Sequence, residues 1–249
     1  MRATSLASGA ARLDGASWAQ LTRAFTDALE ADGRIERPDL GAKIADGLAD
    51  AESSGLVWVG DQVVGALVGV TRPDGMARID TLALVPAARG RGLSEPIIAA
   101  WTAARGDHEA RFETADGPLD AMLPRLGYHR HRAVHSLRAA LRHTPVVGEP
   151  TPWPGHDAPM HRDDWTLRTA PRVKVARRDG TVVAWRDGRL LGLAGDLSPR
   201  SVRRAIALLP PGDAQCVDVP EGAALDALEA AGWIRFVTRS EWRRPATRR

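Results

Sequence analysis

The amino-acid sequence predicts an α/β (α+β) fold, with a mixed central sheet flanked by helices and followed by a second, smaller half of similar design. Three observations point to this fold. Segments with helical spacing alternate with short apolar runs that are typical of strands. One of these runs, from Ile79 to Val85, leads through a Gly-rich loop into a helix. Part of the pattern recurs later in the chain, which indicates a duplicated unit.

Composition limits the class of protein. The chain has 249 residues, of which 44% are hydrophobic and 26% charged, as in soluble globular proteins with one large or two small domains. No apolar run approaches the roughly 18 residues of a membrane span, and the N-terminus lacks the apolar region of a secretory signal. Cys216 is the only cysteine, which excludes an intramolecular disulfide and a cysteine-cluster zinc site. We therefore expect a cytoplasmic protein without a membrane partner.

The basic residues are almost all arginines and are scattered along the chain. The net charge is +3, and Lys43 and Lys174 are the only lysines. No block of Lys and Arg with interleaved aromatic residues is present, so we expect no nucleic-acid partner.

The first elements are predicted in the order strand, helix, helix, hairpin. A short strand is expected around residues 4–8, and Ser17 is a suitable N-cap for a helix through Ala31. Pro38 opens a second helix, in which an apolar residue recurs at helical spacing. Strands over 56–59 and 63–70 are joined at Gly60-Asp61-Gln62, and a turn follows over 72–75.

The central stretch consists of a strand, a Gly-rich loop and a helix start. Pro86 ends the strand, the loop runs from Arg89 to Ser94, and the next helix has Ile97, Ile98 and Trp101 on one face. Loop amides and the partial positive charge of a helix N-terminus favour an anion there. The loop glycines let the backbone approach an oxyanion closely. The alternative is a surface turn with helix-capping glycines.

A strand over 110–115, a short helix over 117–126 and a strand over 131–141 complete the first half. This order, over roughly residues 17–140, resembles the GNAT acyltransferase superfamily. The matching residues are Leu82, Leu84 and Pro86 on the strand, then Arg89, Gly92 and Ser94 for the family's Arg/Gln-x-x-Gly-x-Gly/Ala signature, then Leu126-Gly127-Tyr128. Ser94 stands where the family usually has Gly or Ala.

The resemblance implies an N-acetyltransferase that uses acetyl-CoA as co-substrate and no metal. The loop amides would hold the diphosphate, and the strand backbone would pair with the pantetheine arm. A backbone amide near Leu84 would polarise the thioester carbonyl. The candidate CoA-binding residues are Leu82, Ala83, Leu84, Arg89, Gly90, Arg91, Gly92, Leu93 and Ser94.

An amine acceptor must lose a proton, often through water. Asp80 is the first candidate for the base, because regular alternation places it on the same face of the strand as Leu82 and Leu84. The alternative is an ion pair with Arg78 or another arginine. Glu113 is a second candidate. The tyrosine that usually serves as general acid in the family is replaced here by Leu123, and the family's helix-opening asparagine by Asp116. Tyr128 occupies the place of a core aromatic residue.

Other conspicuous side chains are interpreted structurally. The alternating His129, His131 and His135 are predicted to form a packed or solvated strand face rather than a metal site. Trp153 and Trp165 are predicted to anchor the second half, with an acceptor-pocket wall as the alternative.

The Pro-rich segment 143–164 is predicted to link a domain over 1–142 to a degenerate copy over 165–249. The copy has a hairpin over 182–185 and 189–194 and a helix over 198–209. Leu190 to Leu193 resembles Val63 to Ala66. At a constant offset of 105 residues, Glu113, Asp116, Gly117, Leu123, Gly127, Tyr128 and Arg138 match Asp218, Glu221, Gly222, Leu228, Gly232, Trp233 and Arg243. Gly65 to Gly127 spans 62 positions, whereas Gly192 to Gly232 spans 40. The copy is therefore 22 residues shorter between the hairpin and the closing glycine, which predicts that it lacks the central strand and the phosphate loop.

The predicted reaction is transfer of an acetyl group from acetyl-CoA to an amine, with one CoA per chain. Eight acidic against three basic residues between Asp27 and Glu52 favour a small cationic acceptor; two solvated helix faces are the alternative interpretation of that charge. Alternative functions are a non-catalytic acyl-CoA-binding scaffold, acetylation of a peptide N-terminus or lysine, and a longer acyl donor. The chain is predicted to be a monomer with an internal pseudo-dimer, or a homodimer.

Overall fold

A computed structural model of the protein describes residue 23, residues 49–114 and 117–155, residue 167 and residues 172–247, without the side chain of Asp218. Apart from Arg23, which is helical, the predicted first strand and first two helices lie outside the described residues. So do most of the acidic segment, Asp116 and Trp165. The chain divides into two compact units. Unit 1 comprises residues 1–130 and 242–249, and unit 2 comprises residues 131–241. The domain boundaries at 142 and 165 remain a prediction.

Unit 1 begins its described part with a three-stranded antiparallel meander. Its strands are β1 (Gly55–Val59), β2 (Gln62–Thr71) and β3 (Met76–Leu84). Helix α1 (Ser94–Ala103) then leads to β4 (Glu109–Thr114), which is parallel to β3. Helix α2 (Pro118–Met122) is extended by a 3-10 turn over Leu123–Leu126. The hairpin, the loop and the strand-helix-strand order are confirmed.

The core of unit 1 lies between α1 and one face of this sheet. Ile97, Ile98 and Trp101 are buried on α1, as their spacing predicts, and belong to one cluster with Ile79 and Phe112. The Trp101 indole also donates a hydrogen bond to the Ser53 carbonyl over 2.8 Å. Helical periodicity alone therefore identified the buried face of α1.

Unit 2 repeats this architecture. It contains β5 (His129–Leu141) from His131 onward, β6 (Glu149–Pro150), β7 (Lys174–Arg178), β8 (Thr181–Arg186) and β9 (Arg189–Gly195). Helix α3 (Pro199–Ile206), β10 (Gly212–Pro220), helix α4 (Ala223–Ala230) and β11 (Ile234–Arg244) follow, with β11 in unit 2 through Glu241. Strands β7, β8 and β9 form an antiparallel meander, and β10 runs parallel to β9 and antiparallel to β5.

The prediction that unit 2 lacks the central strand is wrong. Helix α3 follows β9 directly and β10 is parallel to β9, so β9 corresponds to β3 and not to β2. Unit 2 has therefore kept a central strand, and the shortening lies partly in the loop. Nine residues separate β3 from α1, whereas three separate β9 from α3. The sequence match of β9 to β2 rested on apolar residues around a glycine. Buried hairpin strands and buried central strands both show that pattern, so it does not distinguish β2 from β3.

The match at the constant offset is confirmed at Gly117, Leu123, Gly127 and Tyr128 and their counterparts. Gly127 and Gly232 close their helical segments with φ of 81° and 93°, the left-handed conformation of a helix C-terminus. The Tyr128 amide donates to the Leu123 carbonyl over 3.1 Å, and the equivalent bond from Trp233 to the Leu228 carbonyl measures 3.0 Å. Gly117 and Gly222 are the N-cap residues of α2 and α4.

The described part of the Pro-rich segment belongs to unit 2 and packs within it. The Val146 amide donates to the Ala207 carbonyl over 3.2 Å. Trp153 is buried with Leu167 and Leu191, and a Cβ added to Gly192 would lie 2.5 Å from the Trp153 ring. The predicted anchoring role of Trp153 is confirmed. Among the described helices, none is long and apolar enough to cross a membrane.

Candidate functional site

Strands β3 and β4 are paired over only part of their length. Parallel pairing runs from Met76 opposite Glu109 to Ile79 opposite Phe112. Beyond Ile79, β3 continues for five residues and stays paired with β2 as far as Leu84. In this last part, none of the described strands pairs with the backbone edge of β3 that faces β4, and the two strands form a fork.

A β-bulge lies at the start of the fork. Ile79 is opposite Gly69 and Thr81 is opposite Val68, so Asp80 is the extra residue. Such an insertion breaks the alternation of side chains. Residues 77 and 79 face the core before the bulge, whereas residues 82 and 84 pack on the same core after it. The regular alternation from which the parity of Asp80 was predicted is thus interrupted at Asp80 itself.

The backbone direction at the end of β3 follows from its hydrogen bonds to β2. The Val85 amide donates to the Val64 carbonyl over 2.9 Å. Residues that form hydrogen bonds to the partner strand alternate along an antiparallel pair. Ala83 therefore also directs its amide and carbonyl groups toward β2. Leu82 and Leu84 consequently direct their amide and carbonyl groups into the fork.

The loop after β3 is attached to the end of that strand. The Arg89 Nε donates to the Leu84 carbonyl over 2.8 Å. Gly90 and Gly92 have φ of 69° and 72°, and a Cβ at either would have nothing within 4 Å. The conformation requires glycine at both positions. Arg89 and Arg91 are exposed, so the loop presents backbone and positive charge to an open space.

The loop ends at the first turn of α1. Its N-cap residue, Leu93, supplies no side-chain hydrogen bond to the helix, and Ser94 opens the helix. Uncapped amides and the helix dipole favour an anion at such a position. The fork, the glycine loop and the start of α1 follow one another along one edge of unit 1. Every predicted CoA-binding residue lies along this edge.

At the corresponding helix start in unit 2, that of α3, an aspartate side chain accepts the hydrogen bonds. Asp196 accepts hydrogen bonds from the Ser198 amide over 2.9 Å and from the Ser201 hydroxyl over 2.6 Å. These bonds, with that of Ser201 foremost, hold the pKa of Asp196 below its usual value. The Ser198 hydroxyl accepts from the Ser201 amide as the N-cap of α3. A carboxylate of the chain itself thus stands at the start of α3.

The two candidate bases lie where the strands separate. Asp80 follows Ile79 and Glu113 follows Phe112, the last paired residues of β3 and β4. The side chain of Asp80 is 16% exposed, and its Oδ1 lies 3.7 Å from Arg78 Nη2. The Thr81 hydroxyl donates to Asp80 Oδ2 over 3.3 Å. The alternative interpretation of Asp80 as an ion-pair partner of Arg78 is therefore observed, while a role as base remains a prediction.

Neither Leu123 nor Tyr128 offers an acid to the fork. Leu123 is fully buried. The Tyr128 hydroxyl lies 2.7 Å from that of Thr102, which donates to the Ile98 carbonyl. Burial raises the pKa of Tyr128. The predicted core role of Tyr128 is confirmed.

The three histidines do not share one environment. His129 and His131 are exposed, whereas His135 is buried with its Nδ1 3.0 Å from the Thr238 hydroxyl. Among the described residues, no group of three His, Cys, Asp or Glu side chains is arranged to hold a metal.

Sequence reasoning missed an ion pair between α1 and the turn after α2. Arg125 Nη2 lies 2.7 Å from Glu95 Oε2, and Glu95 is the second residue of α1. The two residues are 30 positions apart. No local pattern indicates such a pair, and only an acidic residue in a helix first turn was visible in the sequence.

No protein-family model matches the sequence, and neither does any curated protein. Solved structures match it along most of its length. An acetyltransferase candidate from Pyrococcus horikoshii is 13% identical with a TM-score of 0.62, over 93% of this chain and 87% of its own. A tandem GNAT protein from the clavulanic acid biosynthesis pathway is 13% identical with a TM-score of 0.57, over 95% and 97%. A GCN5-related N-acetyltransferase from Sphaerobacter thermophilus is 16% identical with a TM-score of 0.59, over 90% and 91%.

At this level of identity the likeness shows the fold. The chain has the GNAT fold, and it carries that fold twice in tandem, with a second copy in which the loop after the central strand is short.

Proposed function

We propose that unit 1 is an acyl-CoA-dependent N-acyltransferase that moves an acetyl group from acetyl-CoA to an amine. One observation carries the proposal: β3 leaves β4 after Ile79, and its free edge runs directly into a glycine loop and the start of α1. This edge joins strand backbone that pairs with none of the described strands on that side to a glycine loop suited to an anion. Acetyl-CoA has matching parts, because an amide-bearing arm joins its thioester to a diphosphate.

The residues fit this ligand without rearrangement of the strand. Leu82 and Leu84 offer amide groups to the fork, so an extended ligand arm would add to β3 as a further strand does. The Leu84 carbonyl accepts a hydrogen bond from Arg89, so the Leu84 amide and both backbone groups of Leu82 are the groups that would bind the ligand. A Cβ at Gly90 or Gly92 would have nothing within 4 Å, and a diphosphate would occupy this open space.

Bound acetyl-CoA supplies an acyl group activated as a thioester. The amine nitrogen forms the new bond to the carbonyl carbon as the carbon–sulfur bond breaks, and the sulfur leaves as thiolate. Asp80, or Glu113 at the same fork, accepts the proton that the amine loses, directly or through water. The Leu84 amide stabilises the negative charge that develops on the carbonyl oxygen. A thiolate is a good leaving group, so Leu123 in place of an acid slows release without preventing transfer.

The proposed acceptor is a small cationic amine, and the support is the acidic segment in the sequence. Asp50 lies in the part of that segment that the structure describes, and its side chain binds backbone amides of the fold. Its carboxylate accepts hydrogen bonds from the Ser53 and Thr71 amides, each 2.6 Å long. Asp50 is therefore not available to contact the acceptor directly, and this contact is assigned to the other acidic residues of the segment. We further propose action in the cytoplasm, as a monomer with an internal pseudo-dimer or as a homodimer.

Thermal unfolding with and without acetyl-CoA tests the proposal. Acetyl-CoA at millimolar concentration is expected to raise the melting temperature, since a ligand that binds only the folded state stabilises it. Gly92→Trp is expected to abolish the shift by filling the space above the loop. Gly60→Trp is the matched control, because Gly60 also has a positive φ, 60°, and nothing within 4 Å of a Cβ. An unchanged melting temperature of the wild-type protein contradicts the proposal.

A second candidate function is acyl-CoA binding without transfer. The complete burial of Leu123, where the resemblance implies an acid, is the observation that favours it. Release of free thiol from acetyl-CoA in the presence of a panel of amines separates the two functions. Binding without thiol release for any small amine, peptide N-terminus or lysine supports the non-catalytic function.

A further inference from the structure

The Glu95–Arg125 ion pair lies beside the proposed phosphate loop. Glu95 is three residues beyond Gly92 and belongs to the first turn of α1, where a carboxylate meets the positive end of the helix. Arg125 reaches it from the 3-10 turn after α2, with Nη2 2.7 Å from Glu95 Oε2. Its Nη1 lies 3.4 Å from the Ala121 carbonyl. A second helix thus places a guanidinium next to the loop.

The ion pair is exposed to solvent, so Arg125 can readily exchange Glu95 for another anionic partner. The side chain of Arg125 is 60% exposed and that of Glu95 is 44% exposed. Exposed ion pairs contribute little to folding, because water screens the attraction and side-chain entropy is lost. A phosphate carries more charge than a carboxylate and accepts two parallel hydrogen bonds from a guanidinium. A phosphate ligand next to Glu95 would consequently compete well for Arg125.

We propose that Arg125 is a phosphate-binding residue of the CoA site and that Glu95 holds it in place until the nucleotide binds. This assignment rests on the proposed function and adds a residue that lies outside the loop motif. The phosphate is either the 3′-phosphate or the diphosphate of CoA. On binding, Arg125 turns from Glu95 to the phosphate, and Glu95 remains as a nearby negative charge that limits affinity.

Two substitutions that break the same ion pair are expected to have opposite effects. Arg125→Gln removes the phosphate ligand, so the dissociation constant for CoA should rise about tenfold or more. Glu95→Gln leaves Arg125 available and removes a like charge, so the same constant should fall by roughly two- to fivefold. A purely structural role of the pair would make both variants weaker. The directions of the two changes therefore separate ligand binding from scaffolding.

Calorimetric titration of the full-length chain with CoA and with 3′-dephospho-CoA is the test. A loss in Arg125→Gln that is confined to CoA assigns the 3′-phosphate, and an equal loss with both ligands assigns the diphosphate. Arg235→Gln is the matched control, because Arg235 and Glu229 form a similarly exposed pair in unit 2, 2.9 Å long, and this variant should bind both ligands like the wild type.

An unchanged affinity of Arg125→Gln for both ligands overturns the assignment, as does weaker binding by Glu95→Gln or an equal loss in Arg235→Gln. A wild-type protein that binds neither ligand overturns the proposed function itself, which is a different result from normal CoA binding in all variants.

Discussion

The indole nitrogen of Trp242 donates a hydrogen bond to the Thr114 hydroxyl over 3.0 Å and so joins residues that are 128 positions apart. Both belong to unit 1. Two further contacts support this attachment: the Thr247 amide donates a hydrogen bond to the Gly106 carbonyl, and Arg243 forms an ion pair with Glu109 at 3.7 Å. Residues from the end of the chain therefore complete the unit that contains the candidate site.

The first prediction concerns this attachment. Trp242 is 6% exposed and lies in the core of unit 1, so Trp242→Ala is expected to lower the free energy of unfolding by about 3–5 kcal/mol. Trp242→Phe keeps most of the packing but removes the donor to Thr114 and should cost about 1–2 kcal/mol. Urea denaturation measures both changes. Phe236→Ala on the same strand, where the ring is 44% exposed, is the control and should cost less than either. Equal stability of Trp242→Ala and the wild type contradicts the assigned role.

Local signals in the sequence located much of this fold. The turn glycines, the apolar face of α1 and the strand that ends at Pro86 each depend on neighbouring residues only. Gly127 and Gly232 were matched correctly for the same reason, since the left-handed closure of a helix requires a particular residue at one position.

Features that depend on distant residues were not visible. The bulge at Asp80 arises from the register with β2, and the sequence around it reads as a regular strand. The return of Trp242 to unit 1 and the Glu95–Arg125 pair are set by tertiary packing. The central strand of unit 2 was overlooked because its apolar residues match any buried strand, so its identity follows from the parallel pairing with β10.

The second prediction is a stoichiometry of one CoA per chain. Unit 2 has only three residues between β9 and α3, and the Asp196 carboxylate accepts the hydrogen bonds of Ser198 and Ser201 at the start of that helix. A phosphate there would meet a like charge. Calorimetric titration should therefore give one site in the wild type and none in Gly92→Trp. A second site that survives in Gly92→Trp would show that unit 2 binds the nucleotide as well.

The third prediction assigns the base. Asp80→Asn keeps the size of the side chain but cannot take the proton from the amine, so kcat should fall by about 10²- to 10⁴-fold. The KM for acetyl-CoA should change little, because Asp80 lies at the start of the fork and not on the loop. Glu113→Gln is the comparison at the neighbouring strand and should lower kcat less. If Glu113→Gln has the larger effect, the two roles are reversed; if neither changes kcat, the base is elsewhere. Steady-state kinetics with an accepted amine measures these effects.

The fourth prediction concerns acid stability. His135 is 2% exposed, and burial lowers its pKa from about 6.5; the charge of Arg235 acts in the same direction, against the opposing charges of Glu221 and Glu229. The unfolded chain therefore takes up this proton at a higher pH than the folded one. The contribution of His135 to stability is complete above about pH 6.5 and is lost as the pH falls below it, by at most about 1.4 kcal/mol per pH unit.

Urea denaturation at pH 7.5 and pH 5.5 measures that loss. His135→Gln cannot bind the proton, so its free energy of unfolding should depend less on pH over this interval than that of the wild type. Thr238→Val removes the partner of the His135 Nδ1, 3.0 Å away, but leaves the imidazole buried, so the acid-dependent loss should persist in this variant. A pH dependence of His135→Gln as steep as that of the wild type would mean that other groups, such as the acidic residues of the chain, account for the loss.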